Sequence, residues 1–199
     1  KLFKISVVVV AILLIAGTAS AQVLMPKEYL GKRIFFDTNL SEPAGQSCAA
    51  CHGPEVGFTG PISDINATTV VYPGAINTRF GNRKPPSSAY GGSSPVMYYD
   101  NKSGLLIGGM FWDRRATGWE LHDPLAEQAR GPFLNPLEQN NPSKLAVIGK
   151  IRQSDYASLF EEIYGSNAWN NTDDAYNKVA EAIASYERSS EVNPFTSKY

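Results

Sequence analysis

The sequence predicts a mainly α, loop-rich domain with one small β-hairpin, and three observations carry that expectation. Tyr176, Val179, Ala180 and Ile183 recur at the i, i+3, i+4, i+7 spacing of an amphipathic helix. Thirteen prolines and 17 glycines, concentrated between Gly53 and Pro136, break the middle of the chain into loops. Within that middle, Met97-Tyr98-Tyr99 and Leu105-Leu106-Ile107 flank the turn-forming run Asp100 to Gly104, the pattern of a hairpin.

The elements follow in chain order. Pro26 to Phe36 predicts a helix with proline in its first turn and Leu30, Ile34 and Phe35 on one side. Cys48 to His52 predicts a second, short helix, and Gly53 to Pro95 reads mostly as loop. Asp123 caps a helix that has Pro124 at its first position and Gly131 just past its end. Ser143 to Arg152 and Asp155 to Tyr164 each predict a helix, the latter stopped by Gly165. Thr172 or Asp173 caps the last helix. No internal repeat and no low-complexity stretch is present.

The start of the chain reads as an export signal. Lys1 and Lys4 flank an apolar run from Ile5 to Ala16, and Ala19-Ser20-Ala21 is an A-x-A cleavage site before Gln22. Twelve apolar residues are short for a membrane span, although an uncleaved anchor is the alternative. Residues 1–21 are therefore expected to be a Sec-type signal peptide and residues 22–199 a single domain. Cleavage leaves 178 residues and takes the formal charge from −1 to −3. So mild a charge implies no nucleic-acid partner and no anionic membrane surface.

The run Ser47-Cys48-Ala49-Ala50-Cys51-His52 holds both cysteines and one of the two histidines. C-x-x-C-H reads as a c-type haem attachment site. Two thiols one helical turn apart reach the two vinyl groups of one haem edge, and the adjacent imidazole ligates the iron. One covalent haem c is therefore expected on Cys48 and Cys51, with His52 as the metal ligand. A structural zinc site needs four ligands, more than this neighbourhood offers. A thioredoxin-like redox pair fits Cys48 and Cys51 but does not require His52. Covalent haem is attached outside the cytoplasm, so the motif and the leader support a periplasmic protein together.

Beyond the motif, further stretches resemble one family. Leu30-Gly31-Lys32-Arg33-Ile34-Phe35-Phe36-Asp37 precedes it, Gly57-Phe58-Thr59 follows it, and Phe111-Trp112-Asp113-Arg114-Arg115-Ala116 comes later. Glu127 to Glu138 (EQARGPFLNPLE) and Ala182 to Arg188 (AIASYER) complete the series. In this order they resemble the bacterial di-haem cytochrome c peroxidase and MauG family. The resemblance implies a cytochrome c-like haem domain and an oxidoreductase that reduces hydrogen peroxide to water. It covers half of such a protein. The chain is thus expected to be the N-terminal, peroxidatic domain, with the second C-x-x-C-H domain absent from it.

The resemblance also implies roles. Glu138 matches the catalytic glutamate, a carboxylate suited to moving a proton between peroxide oxygens. Gln128 matches an amide that hydrogen-bonds the peroxide or its water, Pro132 a residue shaping the distal pocket, and Trp112 an electron relay between two haems. Taken alone, Glu138 reads as a solvated loop carboxylate and Trp112 as core. Implied partners are hydrogen peroxide, a small cytochrome c or cupredoxin donor and a second haem domain; a homodimer is compatible with the family.

Four departures qualify this. Asn77 stands near the place of a distal histidine, and His122, in an apparent insertion, reads as a surface residue; a five-coordinate iron is expected. Lys84 replaces an asparagine that helps bind an interdomain calcium, which weakens the case for calcium. Arg114 stands where glycine is usual. The rival from another class is a mono-haem electron-transfer cytochrome, in which Met97 or Met110 would be the sixth ligand and block peroxide. Both methionines also read as core filler. A MauG-like oxidation of a partner protein is a third reading.

Overall fold

A computed structural model describes residues 23–196 of the chain; the expected leader, residues 1–21, lies outside them. Six α-helices and one two-stranded hairpin build the described part. The helices are α1 (Pro26–Phe36), α2 (Ser63–Ala67), α3 (Pro124–Leu134), α4 (Lys144–Arg152), α5 (Ala157–Tyr164) and α6 (Thr172–Arg188). No helix among the described residues is long and apolar enough to cross a membrane.

Packing centres on α6, which lies against α1, α3 and α4. Its repeat of Tyr176, Val179, Ala180 and Ile183 is buried, as the periodicity predicts. Leu30, Ile34 and Phe35 of α1 meet it, each contributing about 2 kcal/mol by leaving water. Gly31 sits at the α1–α6 crossing because a Cβ there would overlap the Ala182 carbonyl oxygen. Phe35, Tyr186 and Phe58 close the core above this crossing, with centroids 5.5 Å apart for Phe35–Tyr186 and 6.1 Å for Phe35–Phe58.

Helix starts follow their capping chemistry. Asp123 Oδ1 accepts the Leu125 N–H at 2.9 Å, and Ser143 Oγ accepts the Ala146 N–H at 3.2 Å. The cap of α6 is Asn171, one residue before the expected Thr172 or Asp173; its Oδ1 accepts the Asp174 N–H at 3.0 Å. α3 does not stop before Gly131 but runs through it and Pro132 to Leu134. Pro132 brings no N–H for the Gln128 carbonyl. The turn persists because Phe133 is buried against Tyr176, ring centroids 6.0 Å apart, and the Tyr176 hydroxyl donates to the Arg130 carbonyl at 2.5 Å.

Strands β1 (Tyr98–Asp100) and β2 (Leu105–Ile107) pair antiparallel, Tyr98 opposite Ile107. The Asp100 carboxylate accepts the Ser103 N–H at 3.1 Å and its hydroxyl at 2.7 Å, and Gly104 closes the turn at φ +69°. The stretch 53–95 is mostly loop, interrupted by α2 and two short 3₁₀ turns.

Candidate functional site

Cys48 to His52 forms a single 3₁₀ turn, Cys48–Ala50, rather than the expected helix, with the Cys51 and His52 N–H groups donating to the Cys48 carbonyl at 3.1 and 3.0 Å. Both thiols are free. Burial pushes the Cys48 thiol far up, helped by the nearby Glu187, Cys51 and Glu138 charges. Burial and Glu138 push Cys51 up to about 11, against a pull from the Gln46 amide. Each sulfur meets a buried glutamine: Gln46 Nε2 lies 3.8 Å from Cys51 Sγ, and Gln139 Nε2 3.8 Å from Cys48 Sγ.

His52 Nδ1 is 3.1 Å from the Phe58 carbonyl oxygen. Donation there assigns the proton to Nδ1 and leaves the Nε2 lone pair for a metal. Burial lowers the His52 pKa, opposed by the Phe58 and Pro86 carbonyls, and so favours the neutral, ligating imidazole. Phe58 itself stands at φ +59°, a left-handed conformation that costs a bulky residue about 1 kcal/mol.

The loop leaving α3 brings Glu138 to the same place. Asn135 Nδ2 donates to Glu138 Oε1 at 2.7 Å, while Asn135 Oδ1 accepts the Leu137 N–H at 3.0 Å and so sets the amide's orientation. The Ala75 N–H donates to the Glu138 carbonyl at 2.7 Å, and a Cβ at Gly74 would collide with the Leu137 carbonyl. Burial raises the Glu138 pKa, opposed by the Asn135 amide and the Arg115 charge. Gln128 and Pro132, both half-buried, are four residues apart and share one face of α3. Trp112 stands apart, 87% exposed at the tip of the Met110–Ala116 turn.

The remaining candidates are placed plainly. His122 and Lys84 are exposed in loops, and Asn77 is exposed in the turn closed by the Arg79 N–H on the Ile76 carbonyl at 2.8 Å. Arg114, exposed at φ +58°, occupies a position that favours glycine; nothing in the structure explains the arginine. Met110 packs with Leu125, Ala126 and Ala184 in a second small core, as a filler would. Met97 is half-buried, and its carbonyl accepts the Trp119 indole N–H at 2.8 Å.

Sequence reading missed the supporting polar residues. Glu127 is buried and accepts the N–H groups of Gly118 (2.7 Å), Glu120 (2.7 Å) and Leu121 (3.0 Å), fixing the loop before α3. Among the described residues, four buried side-chain atoms have no hydrogen-bond partner: Gln46 Oε1, Gln139 Oε1, Glu187 Oε2 and Ser189 Oγ. Three of these belong to residues that touch the cysteine sulfurs or raise a thiol's pKa. Desolvated thiols, a free imidazole nitrogen and orphaned buried polar atoms in one place fit a covalently attached haem. No group of three or more His, Cys, Asp or Glu that could hold a bare metal ion gathers among the described residues.

Comparison with known proteins agrees with this chemistry. The chain is 37% identical over 171 residues to the methylamine utilization protein MauG of Paracoccus denitrificans (strain Pd 1222), covering 85% of this chain and 42% of that protein. It is 29% identical over 158 residues to the cytochrome c551 peroxidase of Nitrosomonas europaea, covering 79% of this chain and 38% of that one. The crystal structure of the diheme peroxidase BthA from Burkholderia thailandensis E264 superposes with a TM-score of 0.77 at 34% identity, covering 89% of this chain and 42% of that chain. The chain thus spans about two fifths of the length of these relatives. The family described as di-haem cytochrome c peroxidase matches residues 25–199, and the chain belongs to it.

Proposed function

We propose that this chain is the N-terminal, peroxidatic haem domain of a periplasmic c-type peroxidase that reduces hydrogen peroxide to water. In this reading Cys48 and Cys51 hold one haem c through thioethers, and His52 Nε2 ligates its iron. When bound, the haem supplies the site that takes peroxide and the redox chemistry that cleaves its O–O bond. Glu138 moves the proton: its carboxyl, pushed up by burial, takes a proton from one peroxide oxygen and returns it to the other. Asn135 holds that carboxyl in one orientation by its 2.7 Å bond. Gln128 orients the peroxide, and Pro132 shapes the wall beside it. Trp112 on the exposed rim passes electrons from a second haem, supplied in turn by a small cytochrome c or cupredoxin. Exposure of Asn77 and His122 supports an iron without a second histidine ligand.

The observation that carries this reading is the recessed Glu138 carboxyl in a loop packed against the cysteine turn. Glu138→Gln in the haem-loaded protein should lower peroxide turnover about 10²–10⁴-fold with haem content and ferric spectrum unchanged. Unchanged turnover would refute the role. The resemblance to MauG supports a second reading, in which the same site oxidises a partner protein; identifying the oxidised product separates the two. Packing of Met110 in the second core speaks against the electron-transfer reading with a Met110 ligand.

A further inference from the structure

Tyr186 is fully buried on α6, and its ring packs edge-on against three others. Its centroid lies 5.5 Å from that of Phe35, 6.2 Å from Phe36 and 6.4 Å from Phe58. Phe58 is the residue whose carbonyl oxygen lies 3.1 Å from His52 Nδ1. The phenol is therefore one ring removed from the partner of the histidine. On the other side of the cluster, Phe36 is exposed and borders a surface cleft shared with Tyr29 and Tyr156. Packed rings thus run from Phe58 through Tyr186 to the protein surface.

The hydroxyl of Tyr186 donates to Glu191 Oε1 at 3.1 Å, and the same oxygen lies 2.6 Å from Lys32 Nζ. Both members of that ion pair are partly exposed, so a proton reaching Glu191 has a way on to water. Burial pushes the phenol pKa far up, helped by the Glu191 and Glu187 carboxylates, and the resting phenol keeps its proton. An electron leaves such a phenol only together with that proton, because a charged phenol is costly in a buried site. A carboxylate within hydrogen-bond reach can take it.

Other tyrosines lack one of these two parts. The Tyr164 and Tyr176 hydroxyls donate to the Lys178 and Arg130 carbonyls, which hold no proton. Tyr72 meets the Ile62 carbonyl and the Asn66 amide oxygen. Tyr156 does donate to a carboxylate, Asp37 at 2.5 Å, but its ring is covered by the Arg33 guanidinium, 5.3 Å from its centroid. Among the described residues, Tyr186 alone joins a carboxylate acceptor to ring contact with Phe58.

We infer that Tyr186 is a redox-active residue, which gives an electron by way of Phe58 to the peroxide-oxidised haem while its proton passes to Glu191. This rests on the reading of Cys48, Cys51 and His52 as the site of a covalent haem that reduces peroxide. Turning hydrogen peroxide into two waters consumes two electrons and two protons. One electron comes from the haem iron, and where no donor has yet delivered the second, a nearby side chain supplies it. Tyr186 then loses one electron, its O–H bond opens, Glu191 takes the proton and a neutral tyrosyl radical remains. An electron from an external one-electron reductant and a returning proton restore the phenol.

The test uses the full haem-loaded chain, without added reductant, mixed with hydrogen peroxide and rapidly frozen for electron paramagnetic resonance. Ring-deuterated tyrosine identifies a tyrosyl radical by the collapse of its hyperfine splitting. Tyr186→Phe should lower the radical yield tenfold or more, with haem content and ferric spectrum unchanged. Glu191→Gln, whose amide takes no proton, should slow radical formation by about tenfold or more. Tyr156→Phe should match wild type. After repeated peroxide, peptide mass spectrometry should find oxidised tyrosine mainly at Tyr186. An undiminished radical in Y186F, its loss in Y156F, or no tyrosyl radical in wild type overturns the inference. Unslowed formation in E191Q overturns it too, since the proton would then leave by another path. If Y186F does not fold, labelled wild type and E191Q decide alone. A wild-type chain that carries no covalent haem, or whose haem does not react with peroxide, overturns the underlying site reading instead.

Discussion

Replacing Glu187 with glutamine should remove a fall in stability that the raised Glu187 pKa predicts between about pH 5 and 8. In the unfolded chain the carboxyl ionises near its ordinary value of 4.5, whereas burial holds its proton in the folded chain up to about pH 8. Across that window the folded state binds one more proton than the unfolded state. Stability therefore declines by about 1.4 kcal/mol per pH unit, on the order of 5 kcal/mol over the whole range. The contribution is fully present below pH 4.5 and is lost as pH rises through 8. Glutamine has the same shape and no proton to lose. Urea unfolding of the haem-loaded wild type and E187Q at pH 5, 6, 7 and 8 measures the difference, in which groups common to both proteins cancel. The two should nearly coincide at pH 5, with the variant ahead by several kcal/mol at pH 8. Parallel profiles across the range would refute the argument, because the folded carboxyl would then be ionising as it does in water.

Two other perturbations test the frame around the site. Gly31→Ala forces a Cβ onto the Ala182 carbonyl, parts α1 from α6 and should cost about 3 kcal/mol by urea unfolding. An unshifted midpoint would show that the crossing has slack. Glu127→Ala orphans three N–H groups, with an expected loss of about 3 kcal/mol and faster hydrogen exchange at Gly118, Glu120 and Leu121. Unaltered exchange at those amides would mean that the loop is held by other contacts.

What the sequence made legible was whatever depends on local chemistry. Pro26 starts α1 and Asp37 follows its end at the expected residues, and the Asp123 cap works as its side chain dictates, while Ser143, expected as the first residue of its helix, caps it instead. Gly131 misled because a glycine signals a helix end only when no tertiary contact overrides it, and buried Phe133 does so. Asn171 was passed over because three consecutive polar residues each offer a competent cap, and the chain's entry angle decides among them. In the site, C-x-x-C-H is contiguous and visible. Gln46, Gln139 and Glu187 are not, since their residue types read as solvated, and Gln139 meets Cys48 only across 91 residues of chain.

Phe58 joins two parts of the protein that ordinarily vary independently. Its ring is gripped by Phe35 and Tyr186, and its carbonyl is aimed at His52. A ring displaced by a small change in those neighbours turns the same residue's peptide plane, and His52, the proposed iron ligand, is the group that registers it. The hydrophobic interior thus works as a tuning peg. Substitutions that leave every polar residue of the site untouched could reset the electronic character of the metal, giving related chains a route to different oxidising strengths through repacking alone.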